Sequence, residues 1–197
     1  MIKKIPSWLI VLAVVLILVM MFSGSYNQII TLNEGVDAKW SQVLNVYQRR
    51  ADLIPNLVQT VKGYASHEKE TLQAVIEARA KATQLNVDLD KLNQESFAKF
   101  QEVQKQMSGS LSRLMLVIER YPDLKANQNF LALQTQLEGT ENRITNERRM
   151  FNESVKFYNT YIRKIPQNLI AAIFGFEKKP YFEAEESAKE APKVSFE

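Results

Sequence analysis

The chain has 197 residues, room for one folded domain and an anchor. Hydrophobic residues make up 46% and charged residues 24%, the balance of a folded chain and not of a disordered one. A formal charge of +3 with no run of five or six basic residues excludes a nucleic-acid stripe, and the lack of cysteine excludes disulfides, thiolate nucleophiles and Cys-based metal sites.

Residues 1–25 read as a membrane anchor. Lys3 and Lys4 precede an apolar run from Trp8 through Val14 and Leu18 to Phe22. A full span wants about 20 apolar residues, and a signal-peptide core runs to about 15. The run sits between these limits, and Ser23-Gly24-Ser25 resembles a cleavage site. Ile5 and Pro6 lengthen it on one side and uncharged residues 23–32 on the other, which favours an uncleaved anchor. Basic residues flank the N-terminal side only, up to Lys39. The expected topology is therefore N-terminus cytoplasmic, single pass, body outside the cytoplasm at the cell (inner) membrane.

The body, residues 26–165, reads as four helices at about 27–64, 67–85, 94–121 and 124–165. In the first, Val36, Trp40, Val43, Tyr47, Ala51, Ile54, Val58, Val61 and Ala65 recur at steps of three and four. Pro55 falls inside this pattern; it lacks a backbone donor, and a kink is expected there. Arg49, Asp52 and Asn56 lie on the opposite face. They are either a plain solvated face or a partner surface displayed at the proline. Gly63 should end this helix and Ser66 cap the next. Helix two places Leu72, Val75, Ile76 and Thr83 on one face, with Arg79 among them. Residues 86–93 (NVDLDKLN) read as a loop.

Helix three has a clean stripe from Phe97 to Tyr121, interrupted by Ser108-Gly109-Ser110, where small side chains leave room for a neighbour. Pro122 and Asp123 turn into helix four, with Phe130, Leu137, Ile144, Phe151, Val155 and Tyr158 on its seam. Glu141, Arg148, Asn152 and Asn159 form a polar line beside that seam. Residues 166–197 comprise a short apolar segment (LIAAIFGF, 169–176) and a mostly extended tail. Short connections between long helices imply an all-α fold: an N-terminal transmembrane helix followed by a long antiparallel up-down four-helix bundle.

Counting down from the tip at about 1.5 Å per residue places Arg50, Arg79 and Glu141 at similar depth. A core-facing Arg79 needs a partner. Arg50, Arg79 and Glu141 are thus expected to form a polar core layer in which Arg79, with or without Arg50, pairs with Glu141 and sets helix register. Helices one and four should outreach the others as a two-helix stalk. The stalk brings residues 169–176 towards the bilayer, either packed on the stalk or dipping into the interface.

No catalytic constellation is legible. His67-Glu68 starts a zinc-protease pattern, but Thr71 stands where the second histidine belongs. No phosphate-binding glycine loop and no triad appear, so no catalytic, cofactor or metal residue is assigned.

Long motifs in order carry a resemblance: QRRADLIPNLVQTVKGYASHE at 48–68, EARAKA at 77–82, LEGTENRITNERR at 137–149, FNESVKFYNTYIRKIP at 151–166 and IFGFEKKPYF at 173–182. With them the chain resembles the LemA family of bacterial membrane proteins. The resemblance implies one N-terminal membrane segment and an antiparallel helical bundle outside the cytoplasm, and brings no enzyme activity and no cofactor. Relatives are linked to envelope settings, including membrane proteases as gene neighbours and magnetosome membrane formation. Ala51 stands where the family often has an aromatic. The expected function is that of a membrane-anchored interaction or scaffold protein of the cell envelope, contacting the lipid bilayer and other envelope proteins, a membrane protease being one class, and no nucleic acid. The other reading is a lipid-interacting or membrane-shaping protein acting through the membrane-proximal stalk.

Overall fold

The computed structural model describes residues 7–85 and 93–183, with the backbone alone at Ser7 and Leu18. Residues 86–92 of the expected loop over 86–93, the tail beyond 183 and the side chain of Leu18 lie outside the described residues. The regular elements among the described residues are all helices: α1 (Ser7–Lys62), α2 (Lys69–Gln84), α3 (Gln94–Ile118), the single turn α4 (Pro122–Lys125), α5 (Gln128–Tyr161) and α6 (Gln167–Phe174).

The apolar segment and the first body helix form one 56-residue helix, α1. At 1.5 Å per residue it runs about 84 Å. Its character changes along its length. Trp8, Val14 and Phe22 are exposed, at 65%, 50% and 43%, whereas Ile29, Val36, Trp40 and Val43 are fully buried. Among the described residues this is the one helix long and apolar enough to cross a membrane.

α1 packs along α5 over most of the latter's length, α2 packs on α3 and α1, and α6 lies against α1. The core falls into two apolar clusters. One, nearer the exposed apolar end, gathers Ile29, Trp40, Tyr47, Phe97, Phe100, Ile144, Phe151 and Tyr158. The other gathers Ala51, Ile54, Leu57, Val75, Met107, Leu114, Phe130 and Leu137. The step from one to the other falls between Tyr47 and Ala51 on α1, Phe100 and Met107 on α3, and Ile144 and Leu137 on α5. In Trp40 the expected seam residue is also the aromatic hub, with ring centroids of Phe100, Phe151 and Phe97 at 5.0, 5.4 and 5.6 Å.

Several local expectations are corrected. Ser66 does not cap α2; Glu68 holds that position without a side-chain cap bond. Ile76 and Thr83 point to solvent, and Ala78 takes their place in the buried stripe. Ser108-Gly109-Ser110 does not interrupt α3, which is continuous from a capping box: Asn93 Oδ1 accepts from Ser96 N, and Ser96 Oγ accepts from Asn93 N. A Cβ on Gly109 would meet nothing within 4 Å among the described residues, so none of these uses the space that the glycine leaves.

The residues after α5 are the largest departure. Residues 169–176 are mostly helical, as α6, which ends on Gly175 at φ 73°, where the Phe176 N–H closes the turn on Ala171 O at 2.9 Å. Residues 177–183 are irregular yet docked. Asn159 exchanges both amide bonds with the backbone of Lys179, each at 2.9 Å. Asn152 does the same with Phe182, at 2.9 and 2.8 Å. Arg148 donates to Glu183 O at 3.1 Å and lies 4.7 Å over the Phe182 ring. Three residues of the polar line seen in the sequence, Arg148, Asn152 and Asn159, thus form a rail that holds the chain's own C-terminal segment. The rail seats Phe182, 6% exposed, against Phe97, Phe151 and Trp40.

Candidate functional site

The stretch 48–68 that carries the longest motif engages two arginines, its own Arg50 and Arg79 of α2, in two separate tasks. α1 stays helical through Pro55, which has no N–H to give to Ala51 O four residues back. Arg79 supplies the missing donor: its Nε donates to Ala51 O at 2.9 Å. A carbonyl left without a donor at a half-buried site costs about 1–3 kcal/mol, so the arginine of α2 offsets the proline of α1.

Arg50 points the other way and is 2% exposed. Nη1 donates to Ser108 Oγ at 2.9 Å and to Glu141 Oε2 at 3.0 Å. Nη2 donates to Gln104 Oε1 at 2.8 Å and Gln104 O at 3.4 Å. The guanidinium carbon lies 5.1 Å from the Tyr47 ring centroid. Nε has no partner among the described residues. Gln104 and Ser108 are one turn apart on α3, so both reach the same guanidinium. The polar layer expected from the sequence therefore pairs Glu141 with Arg50, while Arg79 spends its Nε on the backbone. Gln104 and Ser108 were not foreseen as members. The layer lies where the two apolar clusters meet. A one-turn slip of α3 or α5 would strand the guanidinium, which is how such a layer fixes register.

Glu141 is 55% exposed, so the pair opens to solvent on one side. There α3 and α5 stand apart, leaving a groove of about 770 Å³ with Arg50 and Glu141 at one end. Apolar Leu111, Met115, Ile118, Phe130 and Leu137 line it, with Glu119, Lys125 and Glu138 among its polar residues.

Arg49, Asp52 and Asn56 are all exposed on α1. Gln48 Nε2 donates to Asp52 Oδ1 at 2.8 Å within this stripe. His67 is exposed at the α1–α2 turn. Nearby, Glu68 Oε1 accepts from Arg120 Nη2 and from Tyr121 Oη, both at 3.0 Å, tying this turn to the one after α3. That hydrogen bond pushes the Tyr121 phenol upward. Burial first, then the Asp37 and Glu177 carboxylates, push the Tyr158 phenol up to about 12.

The LemA family model matches residues 39–196. The chain is 29% identical over 188 residues to "Magnetosome protein MamQ" of Magnetospirillum gryphiswaldense, covering 86% of this chain and 68% of that relative. It is 28% identical over 187 residues to "Magnetosome protein MamQ 2" of Paramagnetospirillum magneticum, with the same coverage of 86% and 68%. "Protein LemA" of Metamycoplasma hominis is 24% identical over 165 residues, covering 84% of this chain and 72% of the relative. With most of its length inside the family match, from the arginine layer to the Phe182 rail, the chain belongs to the LemA family.

Proposed function

We propose that this is a membrane-anchored, non-catalytic interaction protein of the bacterial cell envelope. Its body is an antiparallel up-down four-helix bundle of α1, α2, α3 and α5, held outside the cytoplasm by a single N-terminal pass through the inner membrane. The observation that carries the reading is the continuity of α1. Its exposed apolar stretch and its fully buried core stretch belong to one helix, so the body is coupled to the bilayer without a flexible joint. Such a body presents faces at fixed height and orientation, which suits a scaffold and gives a diffusing substrate no advantage.

The face proposed for contact is the Arg49, Asp52 and Asn56 stripe, and the partners are other envelope proteins, a membrane protease being one class. The stripe stands on the helix that Pro55 and Arg79 jointly shape, so its presentation is set from inside the body. A photo-crosslinking residue at 49, 52 or 56 in native membranes tests it. The reading expects discrete protein adducts at these positions and none from Glu153, which is also exposed. Equal, diffuse background at all four positions refutes the contact face.

A further inference from the structure

α6 is apolar on two sides, and only one of them has a partner within the protein. Ile170 and Ala171 are buried, on the side that meets α1. Leu169 and Ile173, one turn apart on the opposite side, are 60% and 68% exposed, and Ile165 just before the helix is 84% exposed. At about 100° per residue, Leu169 and Ile173 share a stripe that no described element covers.

The height of this stripe follows from α1. Residues 8–22 span about 22 Å at 1.5 Å per residue, short of the roughly 30 Å hydrocarbon core. With Trp8 taken at the inner interface, the outer bilayer edge falls beyond Phe22. Trp8 and Tyr26 are 18 residues apart on the same helix. That is about 27 Å, the spacing of aromatic residues placed at the two interfaces of one membrane. Tyr26 thus marks the outer interface. The Phe174 ring lies 4.7 Å from it and the Phe176 ring 5.9 Å. α6 is held at that level by contact. Arg163, Lys164 and Lys178, all exposed, flank it against the one exposed carboxylate of Glu177, a net positive balance that suits a phospholipid surface.

We infer that α6 is a second membrane contact: it lies in the outer interface with Leu169, Ile173 and Ile165 in the acyl boundary, so that the body rests on the leaflet as well as hanging from the span. The occupant of the bare stripe is lipid. The inference rests on the anchor reading of α1 and adds to it a second point of contact with the leaflet.

The sequence has no cysteine, so single substitutions in the full chain give unique probes. Leu169→Cys, Ile173→Cys, Val15→Cys and Glu153→Cys are compared in phospholipid nanodiscs holding one copy each, which keeps a second chain from covering the stripe. A charged maleimide is expected to modify positions 169 and 173 at least about tenfold more slowly than position 153, because lipid covers residues that the protein leaves bare. A fluorophore attached at 173 is expected to be quenched by lipids with a nitroxide high on the acyl chain, as is one at 15. Reaction at 169 and 173 as fast as at 153, with position 15 protected and quenched, overturns the inference and leaves the anchor standing. Reaction and quenching at 15 like those at 153 overturn the anchor reading and the inference together.

Discussion

Removing Arg79 should be costly only while Pro55 is present. In the native chain, Arg79→Met leaves Ala51 O without a donor and removes a hydrogen bond from a charged group, a loss of about 2 kcal/mol at this half-buried site. Pro55→Ala returns an N–H four residues from Ala51, at a position already helical, and should by itself raise stability because proline inside a helix costs about 3 kcal/mol relative to alanine. In that background the restored backbone bond satisfies Ala51 O, and Arg79→Met should cost no more than about 0.5 kcal/mol. The coupling between the two positions is then about 1.5 kcal/mol, well above the scatter of independent sites. The assay is urea unfolding of the four detergent-solubilised full-length chains, followed by the helical signal at 222 nm. Equal cost of Arg79→Met in both backgrounds would refute the idea that the arginine answers the proline.

The Arg50 layer should respond asymmetrically. Glu141→Ala leaves a buried guanidinium without its counter-charge and should destabilise by about 2 kcal/mol, less than a fully buried pair because solvent reaches this side. Arg50→Met, which frees a half-exposed carboxylate to rehydrate, should cost only about 1 kcal/mol by the same unfolding assay, mostly from the buried Gln104 amide oxygen left without its donor. Phe182→Ala should cost about 3–5 kcal/mol, although the residue lies outside every long helix, because it empties the space between Trp40, Phe97 and Phe151. Tyr158 holds its proton more tightly folded than unfolded, so its contribution is whole below about pH 10 and is lost as pH rises towards 12. Tyr158→Phe should remove that part of the alkaline loss in a pH series of unfolding midpoints.

The helices were legible because their apolar spacing is regular. Trp40, Phe97 and Ile144 face the core as their three-and-four steps require. The arginine layer was legible in depth but not in pairing. Counting residues gives height along an axis, whereas Arg79 and Arg50 differ in direction, and direction depends on which neighbour each helix face meets. The proline's orphaned carbonyl was the available signal for Arg79: an interior proline always leaves one acceptor four residues back. Phe182 was missed because a tail rich in Glu, Ala and Lys carries no period. Its docking depends on Asn152 and Asn159, which grip backbone and so leave no mark on the tail's own sequence. The seven-residue interval between those asparagines, beside an apolar seam, was the cue.

The most direct test of a body fixed outside the cytoplasm by α1 is labelling of single-cysteine full-length chains on intact spheroplasts with a membrane-impermeant maleimide. Asn45→Cys on the exposed side of α1 and Glu153→Cys on α5 should react from outside without permeabilisation, and Val14→Cys should stay unreacted even in detergent-free lysed membranes. Reaction at 45 and 153 only after lysis, or free reaction at 14, would contradict the account.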